Sequence, residues 1–213
     1  MSNIVWFLIL APFGLFGQSL SLAIGASETK YQYTSFDQNA SWDLSSESAF
    51  SFSLFYHKPI RKSDFLSVKS GVRYQGMNAR GFLVNVPLRY QTTYVSLSSG
   101  LEVVPYTYYL NKYCSTCSKM RLVSSLGIEL AKIVSGTQTV TVGNTYAYDL
   151  TLEEEFYGLL YGPVVGFGLD IDFFGYISLL LNYNYTYFFN SHQKPERVNF
   201  GRSLISFGIK QQL

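Results

Sequence analysis

The sequence predicts an all-β protein that folds as a closed antiparallel transmembrane β-barrel of ten strands, with eight strands as the alternative. Three observations predict this fold class. Large apolar and small polar side chains alternate along nine segments, only 14% of the 213 residues are charged, and 17% are aromatic. Soluble domains carry roughly 25% charged residues, so this chain lacks the polar surface that water requires. A formal net charge of +2 also argues against a nucleic-acid partner.

The first element is an uninterrupted apolar run of thirteen residues at positions 4–16. Its length suits the hydrophobic region of a secretory signal, and it is shorter than the roughly 20 residues of a membrane-spanning helix. Gly17 and Ser19 flank Gln18 as small residues around a cleavage site. We therefore predict a signal peptide at residues 1–17 and a barrel domain at residues 18–213. The alternative is that the apolar run is a buried first strand.

Nine segments alternate with the period of two that is typical of strands. They are residues 19–25, 49–57, 65–74, 82–91, 94–104, 121–134, 164–172, 176–188 and 200–211. Outer-membrane barrels join their strands by short periplasmic turns and longer external loops in alternation. That alternation requires one more strand after 121–134, and residues 137–143 supply it after a turn at Ser135-Gly136. Eight strands remain the alternative if residues 106–157 lie mostly outside the wall.

The connections follow from the same alternation. The predicted short turns are 58–63, 91–93 and 172–175, and the predicted external loops are 26–46, 75–80, 105–120, 144–157 and 189–199. Aromatic rings crowd the predicted strand ends, as they do at the headgroup region of a bilayer. Tyr106, Tyr108, Tyr109, Tyr185, Tyr187, Phe188 and Phe189 mark the predicted outer rim, and Phe173, Phe174 and Tyr176 mark the inner rim. The alternative, in which these rings fill a soluble core, predicts charges on the opposite parity.

Charged residues within the strands fall almost entirely on the small, polar parity. Nine of them share it, namely Lys69, Arg73, Arg89, Glu102, Glu129, Asp170, Asp172, Arg202 and Lys210. Lys132 is the exception, near a strand end where it can snorkel. In hydrocarbon every backbone group must be paired internally, so strands survive only in a closed barrel whose outward side chains are apolar. We therefore predict that the nine charges pair inside a narrow, plugged lumen.

Few residues suggest chemistry. Cys114 and Cys117 form the only cysteine pair and fall in a predicted external loop. Exported cysteines tend to oxidise, so a local disulfide is the favoured interpretation, with unpaired thiols as the alternative. A zinc site would need two further ligands, and His192 alone does not supply them. Because His57 is predicted at the periplasmic end and no Gly-x-Ser-x-Gly motif occurs, we predict no enzyme activity, no metal and no cofactor.

The C-terminal residues 206–213 resemble the signal that the barrel-assembly machinery reads, except at Gln211. Three further segments, 49–56, 66–74 and 82–90, together with the glycine-rich hairpin near the C-terminus, also carry a resemblance. From residue 47 onward the chain resembles the small outer-membrane β-barrel domain family common in Bacteroidota, which includes a barrel associated with type 9 secretion. The resemblance implies the fold and an address in the bacterial outer membrane, whereas fold does not give function.

Two classes of function remain for such a barrel. The first is a structural or accessory subunit of a secretion, assembly or uptake machine, which contacts outer-membrane lipid and another envelope protein. The second is a narrow channel or binding barrel for a small solute, which passes or holds the solute in its polar lumen. A near balance of charge within the lumen favours the first, because small barrels have interiors that side chains fill.

Overall fold

Strands make up almost all of the described chain, as the period-two alternation predicts. The computed structural model describes residues 18–34, 44–60, 65–83, 86–109, 119–142, 144–149, 158–173, 175–191 and 197–213. Its strands are β1 (Ser19–Thr34), β2 (Ser45–Glu47), β3 (Ala49–Pro59), β4 (Leu66–Leu83), β5 (Val86–Tyr109), β6 (Lys119–Val142), β7 (Asn144–Asp149), β8 (Leu160–Phe173), β9 (Ile177–Asn190) and β10 (Arg197–Gln212). Within these ranges, no helix is long and apolar enough to cross a membrane.

Eight of the ten strands form a closed ring. Each pairs antiparallel with both neighbours in the order β1, β3, β4, β5, β6, β8, β9, β10, and β10 pairs back with β1. Strand β2 continues the line of β3 along β4, and β7 pairs with the end of β6 beyond the ring. The predicted closed antiparallel barrel is confirmed, with ten strands in the sheet and eight of them in the wall.

Both ends of the barrel domain lie at one rim, because Ser19 of β1 pairs with Gln212 of β10 there. Strands β3 and β8 end at the same rim, and only six and three residues separate them from the strands that follow. Since short turns of outer-membrane barrels are periplasmic, we call this the periplasmic rim and the opposite one the external rim. Strands β1, β4 and β9 end at the external rim.

Three predicted connections are wrong because the strands run on through them. Residues 75–80 lie within β4, residues 91–93 within β5, and Ser135-Gly136 within β6 beside a register shift. Strand β4 has 18 residues, and β5 and β6 have 24 each. About 9–11 residues are enough to cross a bilayer, so these three strands rise well beyond the membrane at the external rim. We call this part of β4, β5, β6 and β7 the external extension.

The predicted strands 94–104 and 121–134, which lie within β5 and β6, run opposite to the directions that the predicted turns and loops require. One hairpin joins β4 to β5, with Leu83 paired to Val86, within the residues of the predicted strand 82–91. Strand β5 therefore descends and ends at Tyr109 at the periplasmic rim. Tyr106, Tyr108 and Tyr109 mark this rim and not the outer one, and Phe188, another predicted rim residue, is buried inside the barrel. Phe174 lies outside the described residues.

The outward row of every ring strand forms a continuous apolar belt. The belt comprises Leu22, Ile24, Phe52, Leu54, Val72, Leu97, Leu101, Leu126, Ile128, Val165, Phe167, Leu181, Tyr183, Phe207 and Ile209. Their exposed fractions range from 38% for Leu54 to 64% for Leu126. Soluble proteins rarely expose contiguous apolar patches above a few hundred Å², so a surface of this kind belongs against lipid. The paired backbone of the ring satisfies the requirement that hydrocarbon imposes.

Replacing a belt residue by a charge tests this placement. We expect Phe167→Arg, near the middle of β8, to lower the free energy of unfolding in phospholipid by about 2–4 kcal/mol, because it brings a charge to the bilayer midplane. Tyr146→Arg is the matched control, since Tyr146 is 51% exposed on β7 of the external extension, close to the 60% of Phe167. Equal losses of stability in the two variants would contradict a lipid-facing belt.

Candidate functional site

The inward row of the barrel fills the lumen in three layers. Strand alternation sends every second side chain inside, and these inward residues are apolar or aromatic near the external rim and polar or charged below it. Barrels of eight strands have interiors just wide enough for side chains to fill. The lumen, with the surfaces above and below it, is therefore the candidate site.

The layer nearest the external rim is an aromatic plug. It consists of Tyr31, Met77, Ala79, Leu88, Tyr90, Tyr94, Ala131, Leu160, Phe188 and Phe200. Tyr31 meets Phe200 edge-on with 4.7 Å between ring centroids, and it stacks on Tyr90 at 6.1 Å. Its hydroxyl donates a hydrogen bond of 2.6 Å to the Met77 carbonyl oxygen, so the one polar end of this ring is satisfied. The plug closes the described lumen toward the external side.

The second layer is a central network around Glu129. Arg73 Nη1 donates to Glu129 Oε2 at 2.7 Å, while Arg202 donates from Nη1 to Oε1 and from Nη2 to Oε2, both at 2.8 Å. Ser96 Oγ donates to Oε1 at 2.6 Å. Gln75 accepts a hydrogen bond from Arg202. Charge-assisted, bidentate hydrogen bonds of this kind are the strong ones in proteins, and they tie strands β4, β5, β6 and β10 together across the lumen.

All three charged groups of the central network are removed from solvent. Glu129 and Arg202 are 0% exposed, and Arg73 is 3% exposed. The Arg202 guanidinium also lies over the Phe188 ring at 5.2 Å, so the central network contacts the aromatic plug. Buried side chains of these two layers therefore fill the external and central parts of the described lumen.

The third layer, the periplasmic network, pairs three cations with three carboxylates. Its charged members are Lys69, Arg121, Lys210, Glu102, Asp170 and Asp172. Lys210 joins its two halves, because its Nζ lies 3.5 Å from Glu102 Oε1 and 3.4 Å from Asp170 Oδ2. Arg121 Nη2 lies 3.2 Å from Asp170 Oδ1. The cations are between 15% and 23% exposed at their side chains, so this layer is wetter than the central one.

Ser21, His57 and Glu102 stand in line beside Lys210 at the edge of this layer. Ser21 Oγ lies 2.8 Å from His57 Nε2, and His57 Nδ1 lies 3.3 Å from Glu102 Oε1. Each comes from a different strand, β1, β3 and β5. The order of hydroxyl, imidazole and carboxylate is that of an activated nucleophile, so its chemical competence has to be weighed.

The structure places eight of the nine predicted lumen charges inside. They are Lys69, Arg73, Glu102, Glu129, Asp170, Asp172, Arg202 and Lys210. The prediction for Arg89 is wrong, because its side chain is 49% exposed on the outer surface of the external extension. There the outward row faces water, so a charge belongs outside and the neighbouring Leu88 and Tyr90 point into the plug.

Sequence reasoning missed two ionisable residues of the lumen networks, Arg121 and His57. Arg121 shares the inward parity of Glu129 on β6, and this parity was the signal that could have found it. His57 was assigned to the periplasmic end, but its partners Ser21 and Glu102 come from distant parts of the chain and carry no local signal. The described residues contain no group of three or more His, Cys, Asp or Glu side chains placed to hold a metal ion.

Cys114, Cys117 and His192 lie outside the described residues. The strands that flank the cysteine pair end at Tyr109 and begin at Lys119, both at the periplasmic rim. The described residues 105–109 and 119–120 of the predicted external loop therefore lie within β5 and β6 at the periplasmic rim, because β5 descends.

Outside the lumen, Glu47 bridges two arginines on the external extension. Arg80 Nη2 and Arg89 Nη2 each donate to Glu47 Oε1 at 2.7 Å, and Arg89 Nε donates to Oε2 at 2.9 Å. The hydrogen bond from Arg89, followed by that from Arg80, lowers the pKa of Glu47. The bridge fastens the short strand β2 to the β4–β5 hairpin.

No protein-family model and no curated protein matches the chain. Solved structures do. The outer membrane protein OprG from Pseudomonas aeruginosa is 10% identical, with 92% of this chain and 96% of that chain covered and a TM-score of 0.51. The Neisserial surface protein A is 14% identical over 94% and 99% of the two chains, with a TM-score of 0.45. Ail, the attachment invasion locus protein of Yersinia pestis, is 13% identical over 92% and 99%, with a TM-score of 0.41.

At such identities the likeness shows the fold, and the OprG comparison carries it. The fold and the apolar belt lead to the same conclusion. A closed antiparallel ring with a lipid-facing exterior is the form in which strands cross the outer membrane. The chain is an integral outer-membrane β-barrel.

Removing the shared carboxylate tests the central network. We expect Glu129→Gln to lower the free energy of unfolding by about 3–5 kcal/mol, because it leaves two buried guanidiniums without a counter-charge. Urea unfolding of the refolded barrel measures this. Glu47→Gln is the matched control, since it removes a carboxylate that also bridges two arginines but lies at the surface. If Glu129→Gln unfolds at the same urea concentration as the wild type, the central network does not contribute to the stability of the barrel.

The lowered pKa of Glu47 gives a pH dependence of defined sign. A carboxyl group whose pKa is lower in the folded state stabilises the fold above its unfolded pKa, and this contribution is lost as the pH falls through the folded pKa. We therefore expect the wild type to melt slightly above Glu47→Gln at neutral pH, with the difference vanishing on acidification. Melting temperatures of both proteins across this range test it, and a difference that grows toward low pH contradicts the bridge.

Proposed function

We propose that this barrel is a non-catalytic structural or accessory subunit of an envelope protein complex. The observation that carries the proposal is the filled lumen: a buried network of charges and an aromatic plug occupy its interior within the described residues. A barrel that offers no aqueous path acts through its outer surfaces. Those surfaces are the wall and the external extension.

The alternative, a narrow channel or binding barrel for a small solute, has less support. A conducting pathway must pass both the aromatic plug and the central network. Opening the latter would separate Arg202 from Glu129, and breaking a buried, hydrogen-bonded ion pair is strongly unfavourable. The ring is also the kind of small barrel whose interior its own side chains fill.

Catalysis by Ser21 is the other alternative, and two features argue against it. Ser21 and His57 are each 3% exposed, so a substrate has no approach to the hydroxyl in the described lumen. A general base must also accept a proton, and Glu102, which would stabilise the resulting imidazolium, is already shared with Lys69 and Lys210. Two adjacent ammonium groups oppose a third positive charge. A structural role is the better account, in which Ser21 hydrogen-bonds His57 between β1 and β3 and His57 contacts Glu102 on β5.

The external extension offers a surface for a partner. It carries Phe82, which is 71% exposed, and Tyr146, together with the exposed guanidiniums of Arg80 and Arg89. Exposed aromatic and arginine side chains are the residue types that dominate the energetics of protein interfaces. The extension also rises beyond the lipid, where a second envelope protein can reach it. These features support contact with a protein and not with a solute.

The remaining parts of the proposal rest on sequence. We infer export by the signal peptide at residues 1–17 and insertion by the barrel-assembly machinery, which reads the C-terminal strand. The resemblance of segments 49–56 and 66–74 to the Bacteroidota barrel family supports membership there, and it makes type 9 secretion one candidate among the secretion, assembly and uptake machines.

Two measurements separate the proposed function from its main alternative. Affinity purification from native membranes in mild detergent is expected to recover another envelope protein, and Phe82→Ser with Tyr146→Ser is expected to weaken the recovery. Leu126→Ala, a belt substitution, serves as the control for general loss of folding. In planar bilayers we expect no discrete conductance steps. Discrete steps that change on Glu129→Gln, without any co-purified protein, would establish the channel instead.

A further inference from the structure

The central network carries an unbalanced positive charge. Two guanidiniums, Arg73 and Arg202, share the single carboxylate of Glu129, whereas the periplasmic network below pairs three cations with three carboxylates. Arginine does not lose its proton in proteins. One elementary charge is therefore left without a partner charge in a layer whose ionised members are at most 3% exposed.

A buried charge without a counter-charge is costly in a medium of low dielectric constant. Protein interiors compensate such a charge with a partner, and here the described neighbours supply only neutral groups: Gln75, Ser96 and Thr186 all bind within the network. The Nε atoms of Arg73 and Arg202 are buried and make no hydrogen bond. The excess positive charge and the two unbonded Nε donors would both be satisfied by an anion. This anion cannot be a side chain of the network.

A small cavity lies directly beside Arg73. Its volume is about 20 Å³, and on the lumen side its lining includes Phe55, Lys69, Arg73, Ser98, Ser125 and Asn184. On the opposite side it opens between β5 and β6 toward the belt residues Leu101 and Leu126. Two cations thus face it from β4, while hydroxyl and amide groups face it from β5, β6 and β9. Gly100 and Gly127, which pair with each other across β5 and β6, add no side chain to fill the space.

We propose that this cavity binds a single small monovalent anion of the halide class, with chloride as the physiological ion. The chemistry fits, because cationic and hydroxyl donors surround the cavity and the excess charge of the central network is one. The size fits as well. About 10–15 Å³ accommodates one water molecule, so about 20 Å³ has room for one monatomic anion.

Bromide provides a direct probe, since it replaces chloride and scatters X-rays anomalously. In crystals of the refolded wild-type barrel grown with sodium bromide, we expect one anomalous peak within contact distance of Arg73 and Asn184. A peak only at the protein surface, or a cavity that holds water alone, overturns the proposal. This measurement needs no variant.

Thermal unfolding in detergent gives a second readout. The melting temperature of the wild type should rise with chloride concentration and not with gluconate at equal ionic strength, because a ligand that binds the folded state stabilises it. Arg73→Met leaves Arg202 and Glu129 as a neutral pair, so we expect it to lose this response. Arg89→Gln removes the same charge from the outer surface and should keep the response. An identical dependence on chloride and gluconate in the wild type contradicts the site, whether or not Arg73→Met folds.

Discussion

Hydrocarbon offers the backbone no hydrogen-bond partner, and the rest of this structure depends on that constraint. Closure of β1 onto β10 leaves the ring without an edge, so every segment within the bilayer finds its partners in the sheet. Closure also makes the two side-chain rows unequal. One row meets lipid and must be apolar, while the other faces a narrow interior in which Arg73, Glu129 and Arg202 can pair. The closed ring and its internal charges are therefore two consequences of one requirement.

Above the lipid the outward side chains no longer have to be apolar. In the external extension the outward row therefore includes charged side chains, and the inward row is mainly apolar. On β5, Leu97 and Leu101 point outward within the belt, whereas Leu88 and Tyr90 point inward above it. The outward row of the extension faces water and carries Arg89, and the inward row forms the plug. The barrel is thus a membrane protein below and resembles a small soluble β-structure above. This division places the aromatic plug at the external end of the lumen and the charged networks beneath it.

The sequence predicted the barrel, its belt and eight lumen charges because period-two alternation reports directly on the two faces of a strand. It could not place the connections of 75–93. The apolar residues change parity between Tyr90 and Val95, where the sequence predicts a turn, although the change marks the point where one continuous strand enters the lipid. That prediction also led to the inward assignment of Arg89 and to reversed directions for residues 94–104 and 121–134. Contacts such as Ser21 with His57 depend on which strands become neighbours, and alternation carries no such information.

The apolar belt touches lipid, while the alternate side chains of the same strands face the interior of the barrel. The most direct test places a nitroxide spin label at Phe207→Cys or Ser206→Cys, in a Cys114→Ser and Cys117→Ser background, in phospholipid vesicles. Phe207 is 53% exposed in the belt and Ser206 is 5% exposed. We expect lipid-soluble oxygen to relax the label at 207 strongly, and the label at 206 to be protected from it. Equal relaxation by oxygen at the two sites, or relaxation at 207 by a water-soluble nickel complex instead, would contradict the account.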